Sequence, residues 1–250
     1  MWPATPCSNS LLTLFSVAVR GTFMKTFFKG AAAAALICLG TAASASTVTL
    51  TQTGPGAYGS AGLFQNVKIE FPNSSGTGTQ TYSGTAGAFD MTGPAGQFFA
   101  FCVDLHDSLK ASASYTINNS LFLTDIKDNM QKLFDTAYKD VDTSVEAAAF
   151  QIALWEILKD TNTSGGASVF DIGAGDFKVI GTRTPDQVKT QATAYLSGLN
   201  GTPTSKFNMT FYESGNSQDL VTVSAVPLPA AGLMLLASLA GFAGFRRRNS

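Results

Sequence analysis

The sequence predicts an α+β fold: a β-rich, barrel- or sandwich-like body with about three helices and an apolar segment near each end. Two observations predict this class. Short runs with strand-like alternation fill the first half of the chain, and apolar residues then recur at helical spacing in later segments. The 250 residues are 45% hydrophobic and 13% charged, with a net charge of -1. This composition is typical of a folded domain, and its lack of a basic field argues against a nucleic-acid partner.

The first apolar segment has the pattern of a signal peptide that starts at Met24. Basic Lys25 and Lys29 precede a short apolar stretch, residues 31–40, and small residues follow at Ala43, Ser44 and Ala45. We expect residues 1–45 to be an N-terminal extension and signal peptide, with cleavage after Ala43 to Ala45. The alternative, a transmembrane anchor, is disfavoured because the apolar run is too short.

Cleavage there leaves one cysteine in the expected exported domain, residues 46–224. Cys7 and Cys38 leave with the signal peptide, and Cys102 remains. An internal disulfide is then impossible. A lone thiol outside the cell is a liability unless it is buried, paired between chains or chemically used.

Five segments of this domain are expected to form strands. Each has a strand-like pattern of residues and is separated from the next by other segments, including turns rich in Gly, Pro and Ser in the first half. The five segments are Thr47–Gln52 and residues 67–71, 97–103, 206–212 and 220–223. Residues 163–175 are rich in Gly and Ser and are expected to form a loop.

Three helices are predicted from apolar spacing and from start signals. The first covers residues 123–138, with Thr124 available as a cap. The second follows a capping box formed by Thr143 and Glu146 and runs to about Lys159. The third begins at residues 184–187, where a capping box and a first-turn proline are expected, and runs to about residue 199.

Gln151 is the polar exception on the apolar face of the second helix, which also carries Ile152 and Trp155. Burying an amide without hydrogen bonds costs about 1–3 kcal/mol, so we expect the Gln151 side chain to have a specific bonding partner in the core. One interpretation is a core amide that is hydrogen-bonded to the backbone. The other is an internal thioester, in which the Gln151 side-chain carbonyl is joined to Cys102 with loss of ammonia.

Two short blocks resemble the thioester domains of bacterial surface adhesins. They are Phe101-Cys102-Val103-Asp104-Leu105 and Phe150-Gln151-Ile152-Ala153-Leu154-Trp155. The resemblance implies a thioester between Cys102 and Gln151 whose carbonyl is attacked by an amine or hydroxyl of a partner. The expected supporting shell is Phe101, Asp104, His106, Phe150 and Trp155, with the aromatic rings keeping water from the carbonyl.

Other interpretations of these residues remain open. Cys102 could be an inert buried thiol. His106, the single histidine, could activate that thiol as in a cysteine protease or act as general base for the attacking nucleophile. Asp104, Asp107 and Asp125 match no calcium-loop signature, and one His with one Cys cannot close a zinc site. We therefore expect no metal, no cofactor and no enzyme activity.

The C-terminal segment has three parts in order: a proline break, an apolar span and a basic stop. Val226, Pro227, Leu228 and Pro229 precede the apolar residues 230–245, which end at Arg246, Arg247 and Arg248. The prolines start the span, and the arginines favour the cytoplasmic side. A simple C-terminal anchor is the alternative interpretation.

This tail resembles the PEP-CTERM sorting signal of Gram-negative bacteria, with Leu228 in place of the usual glutamate. The resemblance implies that residues 225–250 form a transmembrane sorting helix. It also implies that an exosortase-type enzyme processes a protein that is membrane-anchored until then. We expect the protein at the cell envelope or outer surface, with exopolysaccharide or a surface protein as its partner. The alternative is a non-covalent structural protein of the extracellular matrix or biofilm.

Overall fold

Eleven strands and three α-helices follow one another in the described part of the chain. A computed structural model describes residues 47–226, apart from residues 55, 161, 162, 165, 166 and 169. The strands are β1 (Thr47–Gln52), β2 (Phe64–Pro72), β3 (Thr79–Gly87), β4 (Phe89–Gly93), β5 (Gly96–Cys102), β6 (Ser112–Ile117), β7 (Thr163–Ser164), β8 (Ala167–Ser168), β9 (Lys178–Val179), β10 (Phe207–Glu213) and β11 (Leu220–Ala225). The helices are α1 (Thr124–Ala137), α2 (Ser144–Lys159) and α3 (Asp186–Ser197), and a 3₁₀ turn, Tyr138–Asp140, follows α1.

Most residues of the expected targeting segments fall outside this part of the chain. The exceptions are Ala225, which is the last residue of β11, and Val226 of the sorting motif, whose N–H donates to the Lys206 carbonyl at 3.1 Å. The cleavage residues Ala43 and Ala45, the two sorting prolines and the three terminal arginines all lie outside the described residues. Within residues 47–226, none of the described helices combines the length and the apolar character that crossing a membrane requires.

Six of the strands close into an antiparallel barrel in the order β1-β4-β5-β11-β10-β6. The barrel closes because β1 pairs with β4 on one side and with β6 on the other. Its interior takes alternate side chains such as Leu50, Met91 and Tyr115, all nearly inaccessible to solvent. Closure leaves these strands without a free edge.

A second sheet has three strands in the order β3-β2-β9. The middle strand β2 buries Val67, Ile69 and Phe71 on one face, following the alternation expected for a strand with one covered side. It pairs with all nine residues of β3, so that Ile69 lies opposite Tyr82. One long side of β3 is left as an edge.

Helix α2 is buried around most of its circumference and packs against α1, α3, β2, β3 and β5. Its first two turns contain Ala147, Ala148 and Ala149, all fully buried, and these small side chains allow neighbouring elements to approach closely. The predicted capping box is confirmed: the Glu146 N–H donates to Thr143 Oγ1 at 3.2 Å, and the Thr143 N–H donates to Glu146 Oε2 at 3.0 Å.

Two other predicted caps are wrong. Thr124 is the first helical residue of α1, and the helix has no side-chain cap. Thr184 does not cap α3, because its Oγ1 instead accepts a hydrogen bond from the Lys68 N–H at 3.0 Å. Pro185 lies at the N-cap of α3, one position before the first helical residue.

The predicted fold class is confirmed for the described residues: a β-rich body with a barrel and three helices. The predicted strands are present with ends shifted by a few residues. Four strands that the sequence pattern did not indicate, β3, β4, β6 and β9, complete the barrel and the three-stranded sheet. The stretch expected to be a loop includes the two-residue strands β7 and β8, which pair with each other.

Candidate functional site

Cys102 and Gln151 lie against each other in the interior, as the thioester hypothesis requires. Cys102 is the last residue of β5, and Gln151 lies in the middle of α2. The Cys102 N–H donates to Gln151 Oε1 at 2.8 Å, and Gln151 Nε2 donates to the Cys102 carbonyl at 2.9 Å. The amide is thus held flat against the backbone of the cysteine, with Cys102 0% and Gln151 1% exposed.

The Cys102 thiol is surrounded by protein. It donates a hydrogen bond to the Asp104 carbonyl oxygen at 2.6 Å. Burial raises the pKa of this thiol to about 12, because the surroundings disfavour a thiolate more than neighbouring donors favour it. The thiol therefore remains protonated at neutral pH, and any reaction at the sulfur must move that proton.

Trp155 lies on the same face of α2 as Gln151, one helical turn further on, and near the Cys102 thiol. Its indole N–H lies close enough to the thiol to lower the pKa of Cys102. The indole N–H and the Cys102 thiol do not have the geometry of a hydrogen bond, and the buried indole nitrogen has no acceptor among the described residues. Tyr82 contacts the indole edge-on, with ring centroids 6.3 Å apart.

Phe101 and Phe150, which were expected to shield the carbonyl, pack mainly against each other. Their ring centroids are 4.6 Å apart, and both rings contact Phe134 and Tyr138. Consecutive strand residues face opposite sides of a sheet, so this ring cluster lies behind the Cys102 backbone. Of the three expected aromatic residues, Trp155 is the one beside the sulfur.

His106 lies near the site but points elsewhere. Its ring nitrogens are 3.0 Å from Gln80 Nε2 and 3.5 Å from Lys159 Nζ, and its ring contacts Phe71. Asp104 turns the chain here, because its Oδ1 accepts the His106 N–H at 2.8 Å. None of the imidazole contacts within the described residues reaches the Cys102 thiol, so the geometry gives no support to a cysteine-protease pair.

A cleft of about 400 Å³ opens beside Trp155. One wall is β3, with Gln80, Thr81 and Tyr82, and the facing wall is residues 105–109. Trp155 also lines the cleft, whereas Cys102 does not, so the indole lies next to both the cleft and the Cys102 thiol.

Leu105, His106 and Trp155 of the cleft belong to segments that the sequence analysis singled out, whereas Tyr58 and the β3 residues were indicated by no motif. Tyr82 and Gln80 come from a strand rich in Thr, Ser and Gly, and Tyr58 comes from a turn. Pairing of β3 with β2 brings them beside residues 105–109. Among the described residues, no group of three or more His, Cys, Asp or Glu side chains could hold a metal ion.

Comparisons with known proteins add one likeness. No protein-family model matches the chain, and no curated protein matches it. A solved structure, the N-terminal domain of the Streptococcus pyogenes pilus tip adhesin Cpa, is similar over 71% of this chain and 98% of that chain, at 11% identity and a TM-score of 0.36. At that score the function of the Cys102 site has to be argued from its own geometry.

Proposed function

We propose that this protein is exported to the cell surface and binds a partner covalently through an internal thioester between Cys102 Sγ and the side-chain carbonyl carbon of Gln151. The observation that best supports this is the pair of hydrogen bonds, 2.8 and 2.9 Å, between the Gln151 amide and the Cys102 backbone. They bring an acyl group and a thiol into one water-free site from positions 49 residues apart.

Thioester formation is a balanced exchange within this site. The sulfur attacks Gln151 Cδ, the Cδ–Nε2 bond breaks, and ammonia leaves with the thiol proton. The Cys102 N–H already donates to Gln151 Oε1. It is therefore placed to stabilise negative charge that develops on that oxygen, as donors of an oxyanion hole do.

Partner capture is the second step. An amine nitrogen attacks Gln151 Cδ, the C–S bond breaks, and the sulfur takes the proton that the amine loses. The products are an amide on Gln151 and a free Cys102 thiol. Burial of both residues protects the thioester from water until a nucleophile enters. This is a single-turnover linkage and not catalysis.

The surface part of the proposal is supported by the sequence alone. A signal peptide before Ser46 would export the chain, and the tail from Val226 to Arg248 would hold it in the membrane until an exosortase-type enzyme processes it. The partner would be exopolysaccharide or a surface protein at the envelope of a Gram-negative bacterium.

A second function is favoured by the same two hydrogen bonds. They satisfy both ends of the Gln151 amide without any covalent bond, as buried amides normally require. Cys102 would then be an inert core residue, and the protein would be a non-covalent structural component of the matrix.

Intact mass spectrometry of the denatured, purified protein separates the two functions. With the thioester, the mass is one ammonia below the value calculated from the sequenced ends of the chain, and methylamine treatment adds one methylamine. The adduct maps to Gln151, and Cys102 then reacts with a thiol reagent. A full-mass protein whose Cys102 thiol titrates at once on denaturation excludes the thioester.

Matched variants identify the bond. We expect Cys102→Ala and Gln151→Ala to have their full calculated masses and to form no adduct with methylamine. Gln52→Ala, which changes a glutamine on β1 bonded to the Lys110 carbonyl, should keep the ammonia deficit. A deficit that survives in Cys102→Ala would assign the lost ammonia to another residue.

A further inference from the structure

The edge of β3 that faces away from β2 is open for backbone pairing. Thr85 shows which groups point outward: its N–H donates to the Tyr82 hydroxyl at 3.1 Å, and its carbonyl accepts from Tyr58 and Tyr82. Since these groups do not bond to β2, the pair of Thr85 with Asn66 is a non-hydrogen-bonded pair.

The strand alternation then assigns the remaining outward groups. Residues two apart share one direction, so Thr79, Thr81 and Ser83 also point their N–H and C=O groups away from β2. All three residues are exposed. None of the described residues bonds to their backbone groups, whereas Thr85 is capped by tyrosine hydroxyls.

This edge lacks the usual protection against pairing. Free edges of natural sheets commonly carry Lys, Pro or a bulge, which discourage an added strand. Residues 79–87 contain no charged residue and no proline, and all nine pair with β2 in continuous register. An extended segment of another chain could therefore continue the sheet.

The open edge borders the reactive site. Thr81 and Tyr82 line the cleft, and Tyr82 contacts Trp155, which lies near the Cys102 thiol. Asp107, on the facing wall, is an exposed carboxylate in a cleft that otherwise consists mainly of aromatic and neutral side chains. Its charge complements an ammonium group.

We propose that the partner is a polypeptide whose extended segment pairs with Thr79, Thr81 and Ser83 on the edge of β3 and places a lysine in the cleft beside Trp155. This inference depends on the proposed thioester for the covalent step only. Backbone pairing supplies affinity without a fixed sequence, and the cleft selects the lysine, as in other cases of strand addition to a sheet edge.

Backbone-methylated peptides test the pairing. The probe is a short end-blocked peptide of alternating threonine and valine with one central lysine, compared with two versions that are N-methylated at odd or at even positions. Only one set of N–H groups faces β3 in a paired strand, so one version should form the adduct with the full protein about tenfold or more slowly, as loss of one or two hydrogen bonds predicts. Equal rates for the two methylated versions overturn the proposal.

A variant of the protein gives the matching result. Ser83→Pro removes an outward N–H that makes no bond to β2, and Ser83 lies outside the cleft lining, so peptide reaction should slow while methylamine reaction keeps its rate. Ser83→Ala, which retains the N–H, should behave as wild type. Unchanged peptide reaction in Ser83→Pro, or faster reaction with an amino-sugar oligosaccharide than with the peptide, contradicts edge pairing.

If the thioester does not form, the wild-type protein gives no methylamine adduct, and this result is independent of the peptide experiments. In that case the labelled peptides are titrated against Cys102→Ala by fluorescence anisotropy. Weaker binding of one methylated version supports edge pairing, and equal binding of both overturns it.

Discussion

Two buried carboxylates show how local surroundings set opposite protonation behaviour. Burial alone raises the pKa of Asp135 on α1, but hydrogen bonds from Gln131 and from the backbone of Thr204 and Lys206 outweigh it and lower the pKa overall. This carboxylate fixes the chain that leads into β10. Asp135 therefore supports the fold as an anion.

Glu156 has the opposite balance. It is completely buried on α2, and one oxygen accepts the Asp171 N–H at 2.8 Å, while the other has no partner among the described residues. Burial, with smaller contributions from the carboxylates of Asp160 and Asp171, raises its pKa to about 8. Glu156 is thus a neutral acid at pH 7.

This shift predicts a pH-dependent stability. The folded state binds the Glu156 proton more tightly than the unfolded state, in which the pKa of this carboxyl is near its ordinary value of 4.5, so the free energy of unfolding should fall as pH rises from 4.5 to about 8. Glu156→Gln removes this contribution. Urea unfolding of both proteins across that range should show the wild type losing stability relative to the variant.

The control for this comparison is Asp128→Asn, which changes an exposed carboxyl on α1. It should leave the wild-type slope unchanged. Parallel slopes for wild type and Glu156→Gln would show that Glu156 does not hold its proton in the folded state.

At the scale of elements, α2 is the part of the fold that its own sequence determines most completely. Its start is set by Thr143 and Glu146, and its body is buried on nearly every side. The helix carries both Gln151 and Trp155, so anything that loosens its first turn also affects the frame of the reactive site.

Thr143→Ala should destabilise the protein by about 1 kcal/mol, the usual cost of removing a helix N-cap. The loss follows from the missing bond between Thr143 Oγ1 and the Glu146 N–H. The midpoint of urea unfolding, with its slope unchanged, measures it. Thr136→Ala is the control, because this hydroxyl bonds back to the Lys132 carbonyl within α1 and caps nothing, so a loss of equal size there would contradict the capping explanation.

Other elements depend on partners distant in sequence, and local patterns do not predict them. Strand β3 has no apolar alternation, and its register comes from its pairing with β2. Thr184 has the sequence features of a cap, but the Lys68 N–H, 116 positions away, occupies its hydroxyl. Two sequence blocks predict Cys102 and Gln151 together, whereas Tyr58 and Tyr82 of the cleft belong to no motif and reach it through the fold alone.

At the scale of the molecule, the reactive pair lies where the barrel meets the helical layer. Cys102 ends β5 and pairs with Leu220 of β11 inside the barrel wall, and α2 packs against β5 as well as β2 and β3. The thiol therefore belongs to the barrel and the acyl group to the helical layer. A bond between them would join the two layers at one point.

The proposed thioester would close a long loop at that point. Cys102 and Gln151 are 49 residues apart, and a cross-link over that separation lowers the entropy of the unfolded chain enough to stabilise the fold by about 4 kcal/mol in the chain-entropy model. Capture of a partner opens the loop while leaving the folded contacts in place. Methylamine-treated wild type should therefore melt at a lower temperature in calorimetry than untreated protein, and Cys102→Ala should melt alike with and without methylamine. A protein molecule that has captured a partner should therefore keep a lower melting temperature than an unreacted one.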